Sequence, residues 1–375
     1  MSSAIDDDLA LIRDAAEHFL AEVSDSAAVR AAADSEAGWQ EHTWSRTAGE
    51  LGWCAACVPA SLGGLGLDAI ADAMLLEQMG RRLFCAPFFS TACLAANVLL
   101  EAGSDDARER HLPRIAAGDL RASALPCPDA SVLRARRSAR GWTLDGCAAQ
   151  VLDGASAEVL FLPAHLEGSD TLALFAIERG TPGLSAHAIR GWDRTRRFAD
   201  LELDGVELDA AARIDRGDAC AADMRRALAR SRLALAAEQL GGAQACLDMS
   251  VDYVKTRRQF GRALASFQAI KHRCAEMMVR VETLRSTVYG TAALISSPAG
   301  EGTPENECMA AKLLACETYF WCAQETIQLH GGIGFTWEHD AHLHLKRAQA
   351  GHAWLGAPQQ LRTALADALI DREVA

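Results

Sequence analysis

Residues 267–288 read FQAIKHRCAEMMVRVETLRSTV, and Phe267, Ile270, Cys274, Met277, Val281, Leu284 and Val288 recur in them at alternating steps of three and four. That alternation puts the seven side chains on one side of a helix, as the apolar seam of a bundle or coiled coil. A seam this long needs helices over it, and the flanking sequence offers two. Upstream, Leu233, Leu240, Leu247 and Val254 recur every seventh residue; downstream, Met309, Leu313, Cys316, Phe320, Ala323 and Ile327 form a third stripe. Residues 216–375 are expected to form a helical bundle.

Between residues 121 and 215 the pattern changes. WTLDG (142–146), VLFLPA (159–164), TLALFAI (171–177) and FADLELDGVEL (198–208) are short, rich in β-forming or alternating apolar residues, and bounded by turn residues. A small β-barrel or sandwich domain is expected there. Residues 1–120 are helical in pattern, with runs such as AIADAMLLEQMGRRL (69–83) and FSTACLAANVLLEAG (89–103) between short loops rich in glycine or proline. Helices, then strands, then helices predict a mainly α member of the α+β class, with segregated layers rather than a βαβ alternation. A doubly wound nucleotide fold is further disfavoured because neither GxGxxG nor GxxxxGK[ST] follows a strand.

Half of the 375 residues are apolar and 23% are charged, an ordinary globular composition. Fifty acidic against 37 basic side chains give a net charge of −13, which argues against general binding to nucleic acid or an anionic membrane. The opening MSSAIDDDLALIRDAAEHFLAEV reads as an amphipathic helix rather than a signal peptide, and no run of about 18 apolar residues suggests a membrane span. The expected compartment is the cytoplasm. Twelve cysteines then read as small buried apolar residues, not as a disulfide framework. Cys54 and Cys57 have the spacing of a thioredoxin-type redox pair, but VPASLGGLG follows them where a helix is needed, and no second CxxC or histidine pair supports zinc. No metal site is expected.

Two strings carry chemistry. DYVKTRRQFGRALASFQAIKH (252–272) sets basic residues and an FG pair in a break between two helical stripes, where a planar or phosphorylated ligand could meet a helix junction. QLHGGIGFTWEHD (328–340) ends a helix with consecutive glycines, which let a backbone approach a ligand without side-chain obstruction. Each string also reads as a plain helix-to-helix turn.

Together these strings resemble the acyl-CoA dehydrogenase family, and the resemblance spans nearly the whole chain. LGWCAACVPASLGGLGL (51–67) is similar to the family's LGW…PE-x-GG-x-G segment, EQMGRRL (77–83) to its E-x-x-GR helix, and GWDRTRRFADLELDGVEL (191–208) to its middle-domain pattern. The resemblance implies a helical domain, a β domain and a four-helix bundle, with FAD bound in extended form across a subunit interface. It implies that Arg257 pairs with the pyrophosphate, Phe260 packs on the adenosine half, and Gln328, Gly331 and Gly332 supply contacts from a neighbouring subunit, with Gln359 a weaker candidate. It also implies an acyl-CoA substrate, a dimer of dimers, and electron-transfer flavoprotein or a similar acceptor.

In the family a glutamate removes the α-proton of an acyl thioester while a hydride leaves the β-carbon for the flavin. Most members carry it in a Tyr-Glu-Gly turn, which here reads Ala353-Trp354-Leu355-Gly356, so an isobutyl group stands where the carboxylate would be. A minority place it before an arginine at the start of the first bundle helix, here Ser231 before Arg232, and a serine hydroxyl is too weak a base. Arg232, Leu355 and Gly356 remain the expected substrate contacts, because the resemblance gives the Leu355 backbone N–H a role in polarising the thioester carbonyl. Glu238, two turns beyond Ser231, is an alternative acid, though a paired or packing carboxylate is the commoner reading. The family's TEP-x-GSD string has become Leu125-Pro126-Cys127-Pro128-Asp129-Ala130-Ser131. These departures resemble the partner subunits of actinobacterial-type mixed tetramers, in which a glutamate-bearing paralogue supplies the base for steroid or other bulky acyl-CoAs. A self-sufficient dehydrogenase with a displaced base, a flavin-dependent monooxygenase or oxidase, and a flavin-free scaffold are the alternatives.

Overall fold

The computed structural model of the chain describes residues 2–127, 132–297 and 304–374, with side chains from Leu11 to Ile370. Six helices come first: α1 (Ser2–Val23), α2 (Ser26–Asp34), α3 (Glu41–Trp44), α4 (Ala69–Arg81), α5 (Ala96–Ala102) and α6 (Asp105–Ala116). Seven strands follow: β1 (Ala122–Ala124), β2 (Arg134–Arg137), β3 (Gly141–Leu152), β4 (Val159–Leu166), β5 (Leu172–Glu178), β6 (Leu184–Ile189) and β7 (Phe198–Asp209). Then come α7 (Cys220–Thr256), a hairpin of β8 (Arg258–Gln259) and β9 (Arg262–Ala263), α8 (Gln268–Ser296), α9 (Glu305–His330), α10 (Ala341–Ala353) and α11 (Pro358–Val374). The expected class is found: N-terminal helices, a central curled sheet and a C-terminal helical bundle. Contacts gather these elements into two compact units, Met1–Ala31 with Ala69–Phe84 and Arg232–Ala375, and Ala32–Asp68 with Cys85–Ser231.

The unit that holds the sheet is built on β4. It pairs with β5 on one side and, in parallel, with β1 and then β2; β3, β7 and β6 continue the sheet antiparallel. Both faces of β4 are covered, which accounts for its unbroken apolar run. Leu160 and Leu162 join Leu144, Phe175 and Val206 in the core, while Phe161, also fully buried, meets the His111 ring of α6 edge-on at 5.2 Å. Strand β7 instead alternates, with Ala199, Leu201 and Leu203 inward and Asp200, Glu202 and Asp204 exposed. Of the altered 125–131 string, Pro128–Ser131 lie outside the described residues.

In the other unit Leu233, Leu240, Leu247 and Val254 of α7 are buried as the spacing predicts. The α8 seam holds only in part: Met277, Val281, Leu284 and Val288 are fully buried, but Ile270 and Cys274 are half-covered. Phe267 precedes the helix and so leaves its phase; it packs between Phe260 (ring centroids 6.1 Å) and the Arg262 guanidinium (4.0 Å). The α9 stripe needs correction. Cys316 and Ala323 are buried, yet Met309, Leu313, Phe320 and Ile327 are only half-buried, and Cys308, Ala311, Lys312, Ala315, Tyr319 and Cys322 carry the core. Because α8, α10 and α11 all pack on α9, it is covered on several sides, and a one-stripe reading is too narrow.

Helices α4 and α7 cross at two glycines. A Cβ on Gly80 would stand 1.8 Å from the Glu238 carbonyl oxygen, and one on Gly241 would stand 1.8 Å from the Glu77 carbonyl oxygen. The backbones therefore touch directly, and this contact fixes where Glu77 and Glu238 sit. Glu77 is ion-paired with Arg285 and accepts from the Tyr289 hydroxyl at 2.7 Å, both on α8.

Candidate functional site

The turn after α10 is the centre of the candidate site. Leu355 is buried and adopts a left-handed backbone, φ 59°, uncommon for a residue with a side chain. Two contacts hold it there. Arg232 Nε donates to the Leu355 carbonyl oxygen at 2.8 Å, and the Leu361 side chain presses on Gly356, where an added Cβ would come within 2.9 Å. Arg232, Leu355 and Gly356, predicted as substrate contacts, are thus brought together.

No described carboxylate takes the part of a base at the predicted positions. Ser231 is fully buried, with its hydroxyl 2.8 Å from the Ala227 carbonyl oxygen and 2.9 Å from that of Cys93, so its proton is held by backbone acceptors. Glu238 accepts from Arg347 Nη1 at 2.7 Å, and both side chains are almost wholly buried; Arg347 also reaches the Phe84 carbonyl oxygen at 3.4 Å. A buried carboxylate matched to a buried guanidinium is a packing pair, and separating it would strand a charge.

The predicted cofactor residues lie in the same unit, at the β8–β9 hairpin, the end of α9 and the start of α11. Phe260 and Gly261 form the two-residue turn between β8 and β9, both left-handed at φ 53° and 76°, the geometry a tight hairpin requires. The turn lifts Phe260 out to 89% exposure. Arg257, also exposed, anchors the hairpin through its backbone: its N–H donates to Tyr253 O at 2.8 Å and its carbonyl accepts from the Leu264 N–H at 2.9 Å. One turn earlier, Tyr253 stacks on His330 at 4.3 Å and donates to the His330 carbonyl oxygen at 3.3 Å. Burial pushes the His330 imidazole down, keeping it neutral, with Nδ1 2.7 Å from Thr326 O. This stack joins the last turns of α7 and α9, next to which Arg257 and Gly331 lie in sequence. Gly331, at φ 64° and ψ −141°, occupies a region essentially reserved for glycine, and a Cβ on it or on Gly332 would meet nothing within 4 Å. The backbone there is open to a ligand. Gln359 is exposed at the start of α11, and no described contact joins it to this group.

Sequence reasoning missed Lys312, Arg347 and Tyr253. Among them only Tyr253 lay inside a quoted string. A cavity of about 950 Å³ opens elsewhere in the unit, between Ser24, Arg81, Asp248, Lys255, Met278 and Leu343. None of the predicted cofactor or substrate residues lines it, and two of its acids are already paired, Asp248 with Arg81 and Asp340 with Arg30. Among the described residues no cluster of three or more metal-ligating side chains occurs, and no helix is long and apolar enough to cross a membrane. No disulfide joins Cys54 and Cys57.

Residues 6–119 match the family model for the N-terminal domain of acyl-CoA dehydrogenases, and residues 221–370 that for the C-terminal domain. The chain is 32% identical over 351 residues, 94% of each protein, to acyl-CoA dehydrogenase IpdE2 of Mycobacterium tuberculosis. Its fold superposes on a variant of the Tcur3481-Tcur3483 steroid ACAD with a TM-score of 0.88 at 27% identity, covering 98% of this chain and 99% of the other. It superposes on glutaryl-coenzyme A dehydrogenase in its glutaryl-CoA complex with a TM-score of 0.87 at 24% identity, covering 96% and 94%. With two domain models covering most of its length and a relative matched end to end, the chain belongs to the acyl-CoA dehydrogenase family.

Proposed function

We propose that this chain is the base-lacking subunit of an FAD-dependent acyl-CoA dehydrogenase, working in a mixed assembly whose glutamate-bearing paralogue removes the α-proton. The observation that carries the reading is Leu355. Leu355 is buried and its carbonyl is pinned by Arg232, yet its side chain has no group that can take a proton. Ser231 and Glu238, the other candidates, are committed to backbone carbonyls and to Arg347. The pairing of Glu238 also counts against a displaced base within this chain.

The residues present fit FAD as a shared ligand. Arg257 would hold the pyrophosphate, the exposed Phe260 ring would cover the adenosine half, and Gln328, Gly331, Gly332 and, more weakly, Gln359 would add contacts. Bound FAD would supply the acceptor for the β-hydride. Met278 (53% exposed), Val279 (60%), Phe335 (75%) and Trp337 (64%) are large apolar side chains left uncovered in the same unit, and such surfaces favour association. The steroid ACAD named for two proteins supports both a mixed assembly and a bulky acyl group. This chain's own contribution would be to bind the thioester, with the Leu355 N–H donating to its carbonyl oxygen and Arg232 holding the turn still. Electron-transfer flavoprotein or a similar acceptor would reoxidise the assembly, which we read as cytoplasmic.

The test is a visible spectrum. The chain purified alone, and then with a glutamate-bearing paralogue, is treated anaerobically with short, long and steroid-type acyl-CoAs, and absorbance near about 450 nm is followed as the flavin band. Bleaching only in the mixed preparation, or in the chain alone after Leu355→Glu, is expected. Bleaching by the unaltered chain alone would overturn the reading.

A further inference from the structure

Lys312 is a lysine with no exposed surface, in the first third of α9. Burying an ammonium is expensive unless it is well hydrogen-bonded, so its acceptors should show what it is for. Its Nζ donates to the Gly351 carbonyl oxygen at 3.0 Å. Gly351 lies in the last turn of α10, and α7 approaches it too: an added Cβ would come within 2.7 Å of Gln239 Nε2.

In a continuing helix the Gly351 carbonyl would accept from the N–H four residues on, that of Leu355. The chain leaves the helix instead, with Trp354 extended at φ −70° and ψ 139°, and among the described residues the Leu355 N–H has no backbone or side-chain acceptor. The Lys312 ammonium takes the place that the Leu355 N–H gave up. A cation at the carboxyl end of a helix also meets the negative end of its dipole, which helps terminate α10 at this point.

We propose that Lys312 is a positioning residue that frees the Leu355 N–H to receive the carbonyl oxygen of an acyl thioester. This rests on the acyl-CoA reading of the site. Lys312 touches neither the thioester nor the cofactor. It acts by satisfying Gly351, while Arg232 holds the other side of the same turn through Leu355 O.

The test compares hexanoyl-CoA with S-hexyl-CoA, a thioether that lacks the carbonyl, on the FAD-loaded full chain. The wild-type protein should bind the thioester about tenfold more tightly, the worth of roughly one hydrogen bond. Lys312→Met should abolish that preference by weakening the thioester alone, and Lys312→Arg should restore it in part. The stretching frequency of a ¹³C-labelled thioester carbonyl should fall on binding to the wild type and not to Lys312→Met. Equal weakening of both ligands in Lys312→Met would reduce Lys312 to a packing role and overturn the proposal, as would an unchanged preference. Should Lys312→Met not fold, amide hydrogen exchange at Leu355 in the wild type decides: protection by hexanoyl-CoA and not by S-hexyl-CoA supports the proposal, and equal protection refutes it. A wild-type chain that binds neither ligand refutes the acyl-CoA reading itself, and this inference with it; a wild-type preference that survives in Lys312→Met refutes the inference only.

Discussion

Gly241→Ala sets two known effects against each other in one helix. Alanine is favoured over glycine in a helix interior by about 1 kcal/mol, and Gly241 lies well inside α7. Against this stands the α4 crossing. A Cβ at 1.8 Å from the Glu77 carbonyl oxygen falls short of an ordinary contact, which begins near 3.4 Å, so the helices would have to part by about 1.6 Å. The obstacle is backbone, with no rotamer that could yield, and parting would strain the Glu77 contacts to Arg285 and Tyr289. Overpacking of this kind costs at least about 3 kcal/mol, the upper end of its usual range. A net loss of about 2 kcal/mol or more is expected after the propensity gain. Gly290→Ala is the matched control, since Gly290 is exposed within α8 and a Cβ there meets nothing within 4 Å. It should stabilise by about 0.5–1 kcal/mol. Urea unfolding followed by circular dichroism measures both. A Gly241→Ala protein as stable as Gly290→Ala would refute the crossing geometry.

Two further outcomes follow from buried polar groups. Glu238→Gln should destabilise by about 3–5 kcal/mol, because it leaves Arg347 a buried cation without its carboxylate; unchanged urea stability with lost flavin bleaching in the mixed assembly would instead return Glu238 to the role of base. His344, which shares a hydrogen bond of 2.9 Å with Tyr319, is pushed down to about 4 by burial, from 6.5. Its neutral form is favoured by folding, so its contribution is complete above pH ~6.5 and is lost as pH falls from there through about 4. His344→Asn should flatten the pH dependence of the urea midpoint across that window, and an unchanged slope would count against the assignment.

Sequence periodicity found the buried positions Leu233, Leu240, Leu247 and Val254 of α7, although residues 233–243 are buried without a break and the seven-residue repeat marks only some of them. It erred on α9 for a physical reason: a helix covered on several sides has no single stripe, and the stripe read from the apolar residues passes over Lys312, which is among the most buried side chains. The FG pair was noticed as a break, but the two left-handed residues that make it a hairpin and expose Phe260 belong to the turn and not to any period. The crossing of α4 and α7 did leave a mark. Glu77-Gln78-Met79-Gly80 and Glu238-Gln239-Leu240-Gly241 repeat the pattern EQxG, and in the fold each glycine lies on the other string's glutamate carbonyl. That leucine stands at position 355 could be read directly from the sequence; the pairing of Glu238 with Arg347 could not, because the partners are 109 positions apart.

On the proposed function, polarising a thioester carbonyl and removing its α-proton would place different demands on the turn at Leu355. The first needs only a backbone N–H in the right place, and the second needs a carboxylate. A turn whose left-handed residue were held by its own glutamate would lose both functions together. Here the support comes from outside: Arg232 on the Leu355 carbonyl, Lys312 on the Gly351 carbonyl, and Leu361 against Gly356. None of these contacts uses the side chain at position 355. On the proposed function, an isobutyl group at position 355 would take proton abstraction away from this chain and leave the N–H where it is, and another subunit would contribute the base. On this argument Arg232 and Lys312 should tolerate change less well than Leu355 itself. Arg232→Met should weaken hexanoyl-CoA more than S-hexyl-CoA, whereas Leu355→Met should leave the ratio of the two affinities unchanged.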